Sequence, residues 1–150
     1  MKSLKYLGIL AIACVINFSF NSCGDDGPTI AKPTINLTEV GHDNGHHAHP
    51  GHDMHLEANI QAPGTIHDIV VEIEQVGGTT KIKEMYTKGK YVGVKNTEFH
   101  EHIDIPASTP LGKYMLYFTV ADDFGQQTTV SCEIDMEEGV DEPDGHDETH

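Results

Sequence analysis

The chain has 150 residues, and its 24 acidic residues outnumber its nine basic residues to give a formal net charge of −15. A surface with this charge repels nucleic acid and anionic membranes and attracts cations or a basic partner, so nucleic acid is excluded as a ligand. The length suits one domain of ordinary size between two terminal segments.

The N-terminus has the pattern of a secretory signal that ends at a cysteine. Lys2 and Lys5 precede an apolar run over residues 6–20, and these are the charged and hydrophobic regions of such a signal. The run is too short to span a bilayer comfortably. Because it is followed by Cys23 in a lipobox-like context, we predict a signal peptide over residues 1–22 and a diacylglycerol lipid on Cys23. Secretion without a lipid is the alternative.

The segment that follows is predicted to be a tether. Residues 24–28 read GDDGP, a flexible and acidic composition, and we assign residues 23–32 to this tether. Acidic residues directly after the lipidated cysteine resemble the surface-export signal of Bacteroidota lipoproteins. The resemblance implies a lipid anchor in the outer membrane with the domain exposed at the cell surface; the periplasmic face is the alternative.

Residues 33–136 alternate apolar and polar side chains as strands do, and they show no helix-period pattern of useful length. About seven short strands between turn signals indicate an all-β fold, an immunoglobulin-like antiparallel β-sandwich. Tyr114, which follows Gly112, suits the tyrosine corner of such folds. Residues 137–150 are predicted to form a disordered acidic tail. The expected strands cover residues 34–38, 55–60, 69–74, 81–86, 91–94, 99–105, 113–120 and 130–136.

Two details of this strand pattern predict where side chains lie. The runs 81–86 and 91–94 are short and carry lysines, as is typical of exposed edge strands. On the last strand, Cys132 shares a face with Ile134 and Met136. We therefore expect Cys132 to pack in the core as a small apolar residue, and the mature domain to have no internal disulfide.

Most of the eleven histidines lie in two segments that point to metal binding. Six lie in residues 41–57, which read GHDNGHHAHPGHDMHLE, and two more flank Glu101 in the sequence HEH. Imidazole is the commonest metal ligand, and histidine tracts mixed with acidic residues are typical of zinc, copper or nickel binding. Because alternate residues of a strand face the same side, His100 and His102 are expected to point outward together, as are His55 and Glu57.

The two segments are predicted to form one site. In an immunoglobulin topology the second and fifth strands are antiparallel neighbours, and facing side chains there have Cβ atoms about 4.5–5.5 Å apart. His55 and Glu57 are therefore expected beside His100 and His102, with zinc or copper as the ion. Further candidate ligands are His42, His46, His47, His49, His52 and Asp104.

Each segment also has a plainer interpretation. The stretch 41–52 is rich in turn residues, so a solvated loop explains it as well. His100 and His102 are also explained as exposed strand residues, and a register shift of one residue would separate the two halves of the site. His67 is expected at a turn or at the start of a strand rather than in a site.

Four segments of the chain together resemble a known family. They read PTINL (33–37), GHDMHLEANI (51–60), HEHIDIP (100–106) and GKYMLYFTVADDFGQ (112–126). This pattern is similar to the small Bacteroidota lipoproteins of the domain of unknown function 4625 family. The resemblance implies an immunoglobulin-like fold behind a lipid anchor, and it implies no particular activity.

The function most consistent with these patterns is binding of a metal ion at the cell surface. The chain has no nucleophile elbow, no HExxH helix and no phosphate-binding glycine loop, so we predict that it is not an enzyme. We predict instead a surface lipoprotein that binds, buffers or delivers zinc or copper. The alternative is an adhesive module that binds a neighbouring outer-membrane protein, or a glycan through Tyr86, Tyr91 or Tyr117. A third hypothesis is a pH sensor based on histidine protonation.

Overall fold

A computed structural model describes residues 29–139, and these residues form an all-β domain. The predicted signal peptide, Cys23, residues 23–28 of the tether and residues 140–150 of the tail lie outside the described residues. The strands, in chain order, are β1 (Thr34–Val40), β2 (His47–Ala48), β3 (Asp53–Gln61), β4 (Ile66–Gln75), β5 (Lys81–Tyr86), β6 (Asn96–Asp104), β7 (Gly112–Asp122) and β8 (Gln127–Met136).

The strands form two sheets that pack as a sandwich. The first sheet has the order β1-β3-β6, and the second has the order β2-β8-β7-β4-β5. All strand pairs are antiparallel except the short parallel pair of β2 and β8. This order is the one expected of an immunoglobulin-like sandwich, and it confirms the predicted fold class.

The core lies between the sheets because inward residues alternate with outward ones along each long strand. On β7, for example, Tyr114, Leu116, Phe118 and Val120 are all fully buried, whereas their neighbours are partly exposed. Burial of a large apolar side chain stabilises a fold by about 1.5–3 kcal/mol. Cys132 packs against this core, but it is only partly buried and not within the core as predicted; burial raises the pKa of its thiol.

The tyrosine corner predicted from the sequence is present. The Tyr114 ring is buried at the start of β7, and its hydroxyl donates a 2.8 Å hydrogen bond to the carbonyl oxygen of Pro110. This bond joins the strand to the loop four residues upstream, as in other immunoglobulin-like sandwiches.

One of the two predicted edge strands is confirmed and the other is wrong. β5 forms an edge of the second sheet, but residues 91–94 contain no strand. Tyr91 in this segment is only 3% exposed, and its hydroxyl bonds to the backbone of β6. The side chain therefore takes the place of a neighbouring strand at this edge, and Tyr91 is not available as an exposed ring for a glycan.

The histidine-rich segment connects the two sheets. β1 pairs in the first sheet and β2 in the second, so the chain changes sheets over residues 41–46, which include a 3₁₀ turn at His42–Asn44. The Asp135 amide donates to the His46 carbonyl, and the Glu137 amide donates to the Ala48 carbonyl. The prediction of a solvated loop is therefore incomplete, because part of the segment pairs with β8. Within residues 29–139, no helix has the length and apolar character needed to cross a membrane.

Candidate metal centre

The pairing of β3 with β6 brings the two predicted halves of the site together. In the register of this pair, His55 lies opposite His102 and Glu57 lies opposite His100. The inward residues of β3 are buried, while His55 and Glu57 face outward from the first sheet. The two strands are neighbours, as the immunoglobulin strand order predicts. His55 and Glu57 face outward, as the two-residue period of a strand predicts.

Three histidines converge on the outer face of the sheet. His55, His100 and His102, the three-histidine cluster, offer ligand atoms that all lie within 4.8 Å of one another. The Nε2 atoms of His55 and His100 are 3.2 Å apart. Around a tetrahedral zinc ion with Zn–N bonds of 2.0–2.1 Å, two ligand nitrogens are about 3.3 Å apart. The observed separation therefore fits a pair of ligands to one ion.

Each ring of the three-histidine cluster has a carboxylate at its Nδ1 atom. Glu39 Oε1 lies 3.2 Å from His55 Nδ1, and Glu57 Oε1 lies 2.9 Å from His100 Nδ1. Asp53 pairs with His102 Nδ1 in the same way. In metal sites, a carboxylate at one ring nitrogen fixes the tautomer and leaves the other nitrogen to bind the ion. Such contacts would leave the Nε2 atom of each ring to bind an ion, and Glu57 Oε1 also lies 3.3 Å from Nε2 of His55.

The tautomer that the Nδ1 contacts favour would leave the nitrogen lone pairs of two rings facing each other. A neutral imidazole whose Nδ1–H donates to a carboxylate has a lone pair on Nε2. His55 and His100 would then face each other with two lone pairs at 3.2 Å, and Glu57 Oε1 lies a further 3.3 Å from His55 Nε2. A metal ion between the two rings would relieve this repulsion.

The sequence interpretation missed two of these carboxylates. Asp53 has the same outward parity on β3 as His55, so the two-residue alternation could have identified it. Glu39 could not be found in this way, because the β1–β3 register shifts between Leu37 and Glu39. This bulge reverses the alternation of β1, so that Glu39 faces outward and Val40 is buried.

The additional candidate ligands are divided between several places. His42, His47 and His49 line a cavity next to the three-histidine cluster. His46 Nδ1 instead lies 3.3 Å from the carbonyl oxygen of Glu133. His52 lines a surface depression together with Asp53 and His102, and its ring centroid lies 6.3 Å from that of His49. Asp104 lies opposite Asp53 at the end of β6 and belongs to no close set of ligand atoms in the described part of the chain. His67 is the exposed second residue of β4, as predicted.

A polar contact at the sheet edge formed by β6 holds the backbone of His100. The Tyr91 hydroxyl lies 2.8 Å from the His100 carbonyl oxygen, accepts a 3.1 Å hydrogen bond from the His100 amide, and lies 2.6 Å from Glu101 Oε1. Burial by itself raises the pKa of the Glu101 carboxyl, but the hydrogen bond from Tyr91 and the ion pair with Lys90 outweigh burial and lower it. Glu101 is therefore an ionised anchor for Tyr91.

Comparison with known families identifies the chain. Residues 21–137 match the family model described as a domain of unknown function, DUF4625. The chain belongs to the DUF4625 family. The match covers the whole sandwich, including both histidine segments of this DUF4625 protein.

Comparisons with individual proteins are less informative. No protein with a curated description matches this DUF4625 chain in sequence. Among solved structures, it is similar to the crystal structure of a catalytically inactive OgpA from Akkermansia muciniphila in complex with an O-glycopeptide (glycodrosocin) substrate, at 13% identity and a TM-score of 0.48. That alignment covers 69% of this chain and 28% of the other.

Proposed function

We propose that this DUF4625 protein is a surface lipoprotein that binds a zinc or copper ion at the three-histidine cluster. The observation that carries the proposal is the convergence of three imidazoles from two strands, each with a carboxylate at Nδ1. The imidazoles supply nitrogen donors, which suit zinc and copper. The carboxylates and the acidic surface attract the cation and orient the rings.

The exposure of the site supports buffering or delivery of the ion rather than a structural role. His100 and His102 are each 56% exposed, whereas His55 is 22% exposed. Three protein ligands leave a fourth coordination position on the solvent side. An ion held there can be exchanged with a partner.

The proposed location depends on the sequence of the N-terminus. A diacylglycerol on Cys23 would anchor the chain in the outer membrane, and the acidic tether favours the cell surface over the periplasmic face. A lipid-anchored domain at the surface would meet metal ions before they enter the cell. Its proposed partners are therefore the ion itself and a neighbouring outer-membrane protein that receives it.

Calorimetry with an untagged mature chain tests the metal site. We expect Kd values for zinc and copper well below about 1 mM, because a Kd above about 1 mM would make the histidine contacts incidental. The double variant His100→Ala/His102→Ala should bind one ion fewer per chain, while the matched control His67→Ala should bind as the wild type does. Unchanged stoichiometry in the double variant would overturn the proposal.

A further inference from the structure

A second group of histidines lines a cavity beside the three-histidine cluster. The cavity has a volume of about 180 Å³ and lies between the histidine-rich segment and the outer face of the first sheet. We refer to it as the loop cavity. The titratable side chains that line it are His42, His47, His49, Asp53, His55 and His102. Five imidazoles and one carboxylate around one small space form a donor set suited to zinc or copper.

The loop side of this cavity is held in place by backbone contacts. His49 Nδ1 lies 3.1 Å from the carbonyl oxygen of Glu137, so the ring donates to that carbonyl through Nδ1 and keeps Nε2 as an acceptor. A backbone carbonyl at one nitrogen is a common way to orient a histidine ligand. The His47 and His49 rings have their centroids 5.4 Å apart, which brings the two side chains to the same cavity.

Gly45 makes room for one of these rings. A Cβ atom at position 45 would lie 2.3 Å from His47 Cε1 and 2.5 Å from His47 Nδ1. The φ of Gly45 is −77°, which other residues also adopt. The absence of a side chain at this position therefore serves to seat the His47 ring rather than to permit an unusual backbone.

We propose that the loop cavity binds a second zinc or copper ion, with His47 and His49 as its principal ligands. This inference extends the proposed function and rests on it, because His55 and His102 belong to both places. Within the described residues, sets of three ligand atoms within 4.8 Å occur only around His55. The ligands of the second ion must therefore approach one another by side-chain rotation, and the second ion binds more weakly than the first.

Metal titration of variants that affect one place at a time tests this inference. The protein is the untagged mature chain, the probes are zinc and copper ions alone, and bound metal is measured by equilibrium dialysis with elemental analysis. We expect two ions per chain in the wild type. His47→Ala/His49→Ala should remove the weaker ion only. His100→Ala should weaken the tighter ion by tenfold or more, because His100 does not line the loop cavity.

Gly45→Ala gives a test that keeps every histidine. Its methyl group must displace the His47 ring, so it should weaken the second ion and leave the first unchanged. One ion per chain in the wild type, lost on His100→Ala and unaffected by the loop variants, would overturn the second site and leave the proposed function intact. If no ion binds to the wild type, both the proposed function and the second site fail.

Discussion

At the scale of single residues, the candidate site depends on the carboxylates beside the histidine rings as well as on the rings. Glu39, Glu57 and Asp53 set which nitrogen of each histidine is free. Glu57 was predicted as a ligand, and the structure places it where it can also act as an orienting group for His100. Ligands of this kind function only when the groups behind them hold the rings in one tautomer and one orientation.

Tyr91 is the residue that holds the backbone of His100, and its hydroxyl can be removed with little change in packing. Tyr91→Phe keeps the ring against Phe99 but leaves the His100 amide and carbonyl without that partner. We expect the free energy of unfolding to fall by about 1–3 kcal/mol, the cost of buried groups that lose a hydrogen bond. Urea denaturation at neutral pH measures this change.

The control for this substitution is Tyr117→Phe, which removes a hydroxyl from an outward-facing residue of β7. Zinc affinity should fall in Tyr91→Phe, because the lost hydroxyl contacts the backbone of His100. It should stay constant in the control, because Tyr117 lies on a strand of the other sheet. If the two variants are equally stable and bind zinc equally well, the Tyr91 hydroxyl does not position His100.

At the scale of strands, the candidate site was predictable because it depends on local alternation and on one pair of neighbours. The period of two residues gives the faces of β3 and β6, and an immunoglobulin order gives their adjacency. The apolar residues Met54 and Ile103 must both face the core, which excludes a slip of one residue because that slip would expose one of the two strands' apolar sets. A slip of two residues keeps both inward, so the pairing of His55 with His102 comes from the structure and not from the sequence.

The features that the sequence did not reveal depend on contacts between distant segments or on irregular backbone. β2 exists because residues 47–48 meet β8, about 90 positions later in the chain, and two residues are too few to show a period. Glu39 reaches the site through a bulge, which reverses the alternation. Tyr91 is a residue type common in strands. Its segment forms no strand, however, and its side-chain hydroxyl contacts the backbone amide and carbonyl of His100 at the edge of β6.

The pairing of β3 with β6 predicts that metal binding stabilises the domain. The ion would join ligands from both strands, and a ligand that binds only the folded state stabilises it by about 2.7 kcal/mol at 100 times its Kd. We expect the Tm to rise by about 10 °C when zinc is added at that excess. Differential scanning calorimetry measures the shift, and EDTA should reverse it.

The variant His100→Ala provides the comparison for this measurement. It lacks one ligand of the three-histidine cluster, so the increase in Tm should be much smaller at the same zinc concentration. His67→Ala should show the full increase. An equal increase of the Tm in His100→Ala and the wild type would show that zinc stabilises the domain by binding at a position other than the three-histidine cluster.

At the scale of the whole molecule, the sandwich places the proposed metal ligands near the segment that connects the two sheets. The chain passes from the first sheet to the second through the histidine-rich segment. The loop cavity therefore has one wall from this crossing segment and another from the outer face of the first sheet. An ion in the cavity would bridge parts of the chain that belong to different sheets.

The lipid anchor is the prediction that concerns the whole protein in its membrane. Cys23→Ala removes the thiol that would carry the diacylglycerol, so the variant should appear in the soluble fraction of the cell envelope while the wild type stays with the outer membrane. Labelling with radioactive palmitate should mark only the wild type. The folded domain should be unaffected, because Cys23 precedes the sandwich, and both proteins should bind the same number of zinc ions after purification.

Protease added to intact cells should degrade the wild type if the domain is at the surface, whereas protection from protease would assign it to the periplasmic face.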